Sequence, residues 1–132
     1  MSGAGSLEDK TVMVVDDDQT MRVLIRRMLA RLKIVNLIEA DGGEAALEQL
    51  EQAPFGCDLI ICDWNMQGMS GIEFFDRVHA MKPALPFLML TGRADAGSVT
   101  TAKQAGVPAY IVKPISPDEL RTKVSFLLAK SA

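Results

Sequence analysis

Short apolar runs alternate along the chain with longer segments in which apolar residues recur at helical spacing. The runs show little polar alternation, which is typical of strands buried on both faces of a parallel sheet. Five strands are predicted, at residues 11–15, 35–40, 58–62, 86–90 and 108–112. Five helices are predicted, at residues 20–32, 44–52, 72–81, 96–104 and 117–129, with Gly106 ending the fourth and Pro117 opening the fifth. Five successive strand–helix units indicate the α/β class, with a doubly wound (βα)5 sandwich.

Composition narrows the class of protein. A chain of 132 residues that is 48% hydrophobic and 23% charged has the size and balance of one globular domain. The net charge of -3 argues against a nucleic-acid partner, and no apolar run approaches the ~20 residues that span a bilayer. The first residues lack the features of a signal peptide. We therefore expect a cytoplasmic protein with no membrane partner, in which residues 1–9 form a flexible tail and residues 10–132 the domain.

The two cysteines, Cys57 and Cys62, match no metal or redox spacing. Their odd separation in a predicted strand would point them to opposite faces of the sheet. We expect both to be reduced thiols in the core.

Acidic residues stand where two predicted strands end. In open α/β sheets, ligands bind outside the carboxyl ends of the strands. Asp16 and Asp17 follow the first strand, and Asp63 follows the third. Carboxylates brought together repel one another unless a cation lies among them, and Mg²⁺ prefers such oxygen ligands while accepting phosphate oxygens as well. The pattern therefore predicts a Mg²⁺ site that admits a phosphoryl group.

Thr91 and Lys113 stand at the ends of the fourth and fifth strands. A lysine there would place a positive charge on a phosphoryl group, and a threonine hydroxyl would donate a hydrogen bond to it. One of the carboxylates could itself be the nucleophile and form an acyl phosphate. Taken singly, each of these residues could instead cap a turn or a helix, and we expect Asp18 to do only that. Their occurrence together at four strand ends favours a phosphoryl-transfer site.

Four segments carry a resemblance to a known family: VVDDDQTMR (14–22), DWNMQGMSG (63–71), PFLMLTG (86–92) and YIVKP (110–114). In this order they resemble the receiver domains of response regulators in two-component signalling, and among them the single-domain chemotaxis regulators. The resemblance covers nearly the whole chain. It implies the flavodoxin-like five-stranded parallel sheet of that family, with strand order 2-1-3-4-5.

The resemblance also implies the ligands of the site. Asp63 would be the phosphoacceptor. Mg²⁺ would be bound by Asp16, Asp17, Asp63 and the backbone carbonyl of Asn65.

Catalytic and switch residues follow from the same resemblance. Thr91 and Lys113 would bind phosphoryl oxygens and form the catalytic set with Asp63. Thr91 and Tyr110 would form the switch. The odd spacing between Tyr110 and Lys113 separately predicts that Tyr110 faces away from the side of Lys113 and toward the fourth helix. The Lys113–Pro114 peptide bond would be cis.

The partners implied are proteins. A histidine kinase or a histidine phosphotransfer protein would supply the phosphoryl group, and a downstream protein would receive the signal, with the flagellar motor switch as a candidate. The protein would be a monomeric phosphoacceptor switch that catalyses only its own phosphorylation and dephosphorylation. It would not be an enzyme acting on other substrates.

Two other interpretations stay open on the sequence. Residues 16–20, DDDQT, also fit the D-x-D-x-T motif of haloacid-dehalogenase-type phosphatases, which would be phosphorylated on Asp16. Against this interpretation, phosphatases of that type have longer chains that include a cap insertion. A receiver-shaped interaction module that no longer depends on phosphorylation is the other interpretation, and the complete set of acceptor, acids, threonine and lysine argues against it.

The sequence departs from the family pattern in two loops. Gln67 stands where many receivers have proline. Unlike proline, glutamine has a backbone N–H that can donate a hydrogen bond. Gly92 stands in place of the usual alanine and is followed by Arg93. Gly92 would leave access to the phosphoryl group open, whereas Arg93 could shield that group or pair with it, so the lifetime of the phosphoryl group stays open in both directions.

Charge is distributed unevenly between the first two helical regions. Residues 21–33 carry five basic side chains and no acid, whereas residues 39–51 carry five acids and no base. One interpretation is that both segments are helix faces exposed to solvent. The alternative is that the basic first helix binds an acidic partner through Arg22 and Arg26.

Overall fold

Strands and helices alternate without exception along the chain. The computed structural model describes residues 7–52, 56–92 and 96–129. The strands are β1 (Thr11–Val15), β2 (Asn36–Ala40), β3 (Leu59–Asp63), β4 (Phe87–Thr91) and β5 (Ala109–Val112). The helices are α1 (Gln19–Ala30), α2 (Gly43–Gln52), α3 (Gly71–Met81), α4 (Ala96–Ala105) and α5 (Pro117–Ala129). The ten predicted elements and the α/β class are confirmed.

The five strands form one parallel sheet in the order β2-β1-β3-β4-β5. This is the order implied by the family resemblance. The inner strands β3 and β4 are buried along their whole length, whereas the edge strands β2 and β5 are partly exposed. The near-continuous apolar runs of the inner strands follow from this burial, because helices cover both faces of the sheet.

Two apolar clusters lie on opposite faces of the sheet, since successive strand residues point to opposite sides. The cluster under α2 and α3 includes Met13, Ile60, Met89, Leu50 and Phe74. The cluster under α1 and α5 includes Val14, Ile61, Leu88, Leu29 and Val124. Leu7, which the sequence placed in the tail, packs against the second cluster, while residues 1–6 lie outside the described part. The boundary between tail and domain stays a prediction.

Aromatic packing fixes α3 on the sheet. The rings of Phe75 and Phe74 lie 5.0 and 6.0 Å from the ring of Phe87 in β4. Aromatic pairs of this kind contribute about 0.5–1.5 kcal/mol each beyond the area they bury. The loop that joins β3 to α3 is thereby anchored at its helical end.

The prediction for the faces of the two cysteines is wrong. Cys57 and Cys62 are both free and buried, as expected, but they belong to the same cluster under α2 and α3. Cys57 lies two residues before β3 begins, so the alternation of strand side chains does not apply to it. Burial raises the pKa of the Cys57 thiol to about 11, which keeps it protonated and unreactive.

Several element ends differ from the prediction by one or two residues. β3 and β4 lie one residue further along the chain than predicted. For β4 the reason is that Pro86 has no N–H to donate to a ladder. Asp63 and Thr91 therefore occupy the last positions of their strands. α1 ends at Ala30, before a turn in which Lys33 has a φ of 66°.

Capping groups set the ends of the helices that flank the loops. Asp18 caps α1 by accepting a hydrogen bond from the Thr20 amide at 2.9 Å, as predicted. Ser70 and Glu73 form a reciprocal capping box at the start of α3. Gly106, with a φ of 91°, follows α4 in the left-handed conformation that glycine adopts without strain. Within the described ranges no helix is both long enough and apolar enough to cross a bilayer.

Candidate functional site

Three carboxylates converge at the carboxyl edge of the sheet. Val15 of β1 is in register with Cys62 of β3, so the next residues, Asp16 and Asp63, lie side by side. Asp16, Asp17 and Asp63 each offer an oxygen within 4.8 Å of the oxygens of the other two. The predicted cluster is therefore assembled by the pairing of β1 with β3. Its oxygens match the hard ligands that a small divalent cation prefers.

Asp16 is the most deeply placed of the three, with none of its surface exposed. Its Oδ1 accepts a hydrogen bond from the Asp18 amide at 2.9 Å, while Oδ2 is buried without a hydrogen-bond partner among the described residues. Burial raises the pKa of Asp16 to about 6; the Asp18 hydrogen bond opposes this rise, and the negative charge of Asp63 adds to it. A buried, unpartnered carboxylate oxygen is a position that a cation would satisfy.

Asp63 is 6% exposed and is paired with Lys113. The Lys113 Nζ lies 2.9 Å from Asp63 Oδ1. The backbone places this lysine, because the Lys113 amide donates to the Thr91 carbonyl at 2.7 Å just beyond the end of β5. The bond from Lys113 to Pro114 is cis, as the resemblance implied. One positive charge thus faces the carboxylate predicted to be the phosphoacceptor.

Thr91 completes the edge from the neighbouring strand. Leu90 of β4 is in register with Asp63, so Thr91 lies one residue beyond the acceptor. None of its surface is exposed, and its Oγ1 has no hydrogen-bond partner in the described part of the chain. A buried hydroxyl without a partner costs free energy, and it is available to donate to an oxygen bound beside Asp63.

The loop between β3 and α3 is held tightly at its ends. The Gly71 amide donates to the Trp64 carbonyl at 3.0 Å, and the Trp64 amide donates to the Leu90 carbonyl at 2.8 Å. Asn65 is exposed in this loop, two residues beyond Asp63. Its role as a carbonyl ligand stays a prediction.

One contact across the site was not predicted. The Gln67 backbone amide donates to Asp17 Oδ2 at 3.1 Å. Sequence reasoning identified the donor, since glutamine replaces an N–H-free proline, but not its acceptor 50 positions away. Periodicity describes strands and helices and carries no information on which loop groups meet.

Arg22 contacts the backbone of the site at Asp16. Its guanidinium donates to the Asp16 carbonyl, and its Nε lies 3.4 Å from Glu39 Oε1. Arg26 Nη1 lies 2.7 Å from Glu39 Oε2. Two of the basic residues in α1 therefore pair with an acid of the same chain, a pairing that neither interpretation of the charge asymmetry included.

Tyr110 lies in β5 on the same sheet face as Met89 and packs against the cluster under α2 and α3. Its ring centroid is 5.7 Å from Lys103 Nζ of α4 and 5.3 Å from Lys123 Nζ of α5. The ring thus lies near a side chain of α4, as predicted, and equally near one of α5. Thr91, two residues after Met89, shares this face.

The second loop departure is only partly described. A Cβ added to Gly92 would meet no heavy atom of the described residues within 4 Å, its chain neighbours aside, so there is open space at Gly92 itself. Arg93 lies outside the described residues.

Comparison with known proteins assigns the chain to a family. The family described as "Response regulator receiver domain" matches residues 12–125. The chain therefore belongs to the receiver domains of response regulators.

Relatives within this family share much of the sequence. The chain is 40% identical over 115 residues to "Chemotaxis protein CheY" of Pseudomonas aeruginosa, covering 86% of this chain and 91% of that protein. It is 38% identical over 119 residues to "Chemotaxis protein CheY1" of Helicobacter pylori, covering 89% and 95%. Among solved structures, a putative response regulator from Chloroflexus aurantiacus superposes with a TM-score of 0.83 at 32% identity, covering 91% of this chain and 98% of that chain. The family assignment favours the receiver interpretation of residues 16–20 over the phosphatase interpretation.

Proposed function

We propose that this receiver domain accepts a phosphoryl group on Asp63 and then signals to a protein partner. The observation that carries the proposal is the convergence of three carboxylate oxygens within 4.8 Å of one another, with Lys113 2.9 Å from Asp63. The donor we propose is a histidine kinase or a histidine phosphotransfer protein. The relatives named as chemotaxis proteins make the flagellar motor switch a candidate for the downstream partner.

The metal we propose is Mg²⁺, bound by Asp16, Asp17, Asp63 and the Asn65 carbonyl. Support comes from the unpartnered Asp16 Oδ2 and from the mutual repulsion of the three acids, which a divalent cation would relieve. When bound, Mg²⁺ would supply positive charge to the phosphoryl oxygens.

In the proposed transfer, an Asp63 oxygen attacks the phosphorus while the P–N bond to the donor histidine breaks. The bonding pair stays on the imidazole nitrogen, and an acyl phosphate forms on Asp63. Lys113 moves from Asp63 Oδ1 to a phosphoryl oxygen, and the Thr91 hydroxyl donates to another. These residues act by position and charge, which suits a loose transition state with negative charge on the transferred oxygens.

We propose further that the domain is not an enzyme toward other molecules. Its chemistry is limited to its own Asp63: phosphoryl transfer onto the carboxylate and later hydrolysis of the acyl phosphate by water. The buried acceptor, 6% exposed, leaves a narrow approach that suits a docked donor and a small hydrolytic water.

Phosphorylation of the intact protein tests the assignment. Incubation with acetyl phosphate and Mg²⁺, followed by peptide mass mapping, should add one phosphoryl group on Asp63. Asp63→Asn should abolish the addition, whereas Asp76→Asn, at an exposed aspartate of α3, should not change it. A phosphoryl group mapped to Asp16, or undiminished labelling of Asp63→Asn, would contradict the proposal.

A further inference from the structure

The cluster of carboxylates is anchored unequally. Asp16 and Asp63 are buried, and each has a fixed partner in the Asp18 amide or the Lys113 ammonium. Asp17 is exposed. An exposed aspartate samples several rotamers unless a specific contact holds it, and ordering it at the moment of binding would weaken a ligand site.

The Gln67 backbone supplies such a contact. Its N–H donates to Asp17 Oδ2 at 3.1 Å, joining the β3–α3 loop to the segment that follows β1. A carboxylate has about four lone-pair directions, so one hydrogen bond leaves the group able to bind a cation. The ends of the loop that carries this amide are fixed by the hydrogen bonds of Trp64 and Gly71.

We propose that the Gln67 backbone amide positions Asp17 for the cation, by holding its carboxylate beside Asp16 and Asp63 before the metal binds. This inference rests on the proposed metal-binding function of the three acids. The amide does not touch the metal, and Gln67 is therefore a positioning residue. The Gln67 side chain plays no part, because the bond is made by the main chain.

Mg²⁺ titration of the intact protein, followed by Trp64 fluorescence and by calorimetry, tests the inference. Gln67→Pro removes the N–H, and Gln67→Ala is the matched control that removes the side chain but keeps the N–H. We expect Gln67→Ala to bind Mg²⁺ like the unmodified protein and Gln67→Pro to bind about three- to tenfold more weakly. Equal or tighter binding by Gln67→Pro than by Gln67→Ala would overturn the inference alone. Absence of Mg²⁺ binding by the unmodified protein would overturn the proposed metal site and this inference with it.

Amide hydrogen exchange at Gln67 gives a second test that does not depend on the fold of a proline variant. Without metal, the Gln67 amide should exchange more slowly in the unmodified protein than in Asp17→Ala. Protection should persist at saturating Mg²⁺, because the same bond holds Asp17 in the bound state. Equal exchange in the two proteins, or faster exchange on adding Mg²⁺, would contradict positioning; the latter would mean that amide and cation compete for Asp17.

Discussion

At Asp16, burial disfavours the negatively charged form of the carboxylate. The residue is fully buried, and its pKa of about 6 lies above the ordinary value of 3.8. The folded protein thus holds this proton more tightly than the unfolded chain does. The stability that follows is complete below about pH 4 and is lost as the pH rises through about 6. The metal-free domain therefore bears a cost at neutral pH for keeping a charged carboxylate at the position where we propose that a cation binds.

Replacing Asp16 by asparagine should remove this cost. In EDTA at pH 7.5, Asp16→Asn should raise the free energy of unfolding by about 1–3 kcal/mol, since raising a pKa from 3.8 to about 6 corresponds to about 3 kcal/mol at most. The gain should shrink toward zero at pH 4, where the native carboxyl is protonated. Urea unfolding at both pH values measures the effect, with Asp76→Asn as the exposed control. A gain that is the same at both pH values would exclude ionisation of Asp16 as its cause.

At the scale of elements, the turn from β3 into α3 determines where Asp63 lies. A Cβ at Gly71 would stand 2.4 Å from the Asp63 carbonyl oxygen and 2.9 Å from the Trp64 Cα, both backbone atoms. Only glycine lets the first turn of α3 approach the end of β3 this closely. The helix is held there by its aromatic contacts with β4, so the strand end cannot shift without loss of packing.

Gly71→Ala should therefore destabilise the domain by about 1–3 kcal/mol, as overpacking typically does. It should also slow phosphorylation of Asp63, because the clash pushes on the carbonyl of the acceptor itself. Gly42→Ala is the control, since a Cβ there meets no atom within 4 Å. Denaturant unfolding and labelling rate are measured on both variants. Equal stability of the two alanine variants would show that the turn between β3 and α3 accommodates the added Cβ without loss of free energy of unfolding.

The same turn separates what local pattern can predict from what it cannot. Apolar runs and turn residues placed the ends of the strands to within one residue at Asp63 and Thr91, and parallel pairing then brought those ends together. The Gln67–Asp17 bond was not predicted because it joins two loops, and the Arg22–Glu39 pair was not predicted because it joins side chains of two different elements, α1 and β2. The prediction for Cys57 was wrong for a related reason. The alternation of strand side chains was applied to a residue that precedes the start of β3.

For the whole molecule, strand order determines what a charge on Asp63 can reach. β3 lies between β1, which leads to Asp16, and β4, which carries Thr91; β5 carries Tyr110 at the edge. Thr91 and Tyr110 share one face of the sheet, and the Tyr110 ring lies near Lys103 of α4 and Lys123 of α5. The Lys123 Nζ also donates to the Tyr110 carbonyl at 2.6 Å. A movement of Thr91 toward a phosphoryl group would thus be felt at a surface made by α4, β5 and α5.

Tyr110 is the sole tyrosine, so its ring can be labelled and observed without interference. If Thr91 moves to donate to the phosphoryl group and vacates space into which the ring turns, as the predicted switch requires, phosphorylation should change the ring's NMR signals. Thr91→Ala should still be phosphorylated on Asp63 yet lose most of this change, and Thr91→Ser, which keeps the hydroxyl, should retain it.

The same coupling should govern binding to the downstream partner. The gain in affinity on phosphorylation should fall about tenfold or more in Thr91→Ala, which lacks a hydrogen bond to a charged group, and similarly in Tyr110→Ala. Label incorporation and affinity are measured on the same samples, so that loss of phosphorylation is not mistaken for loss of coupling. A full affinity gain in phosphorylated Thr91→Ala would mean that the charge on Asp63 affects the surface without the Thr91 hydroxyl. An unaltered ring signal in the phosphorylated native protein would show that Tyr110 is not part of the switch.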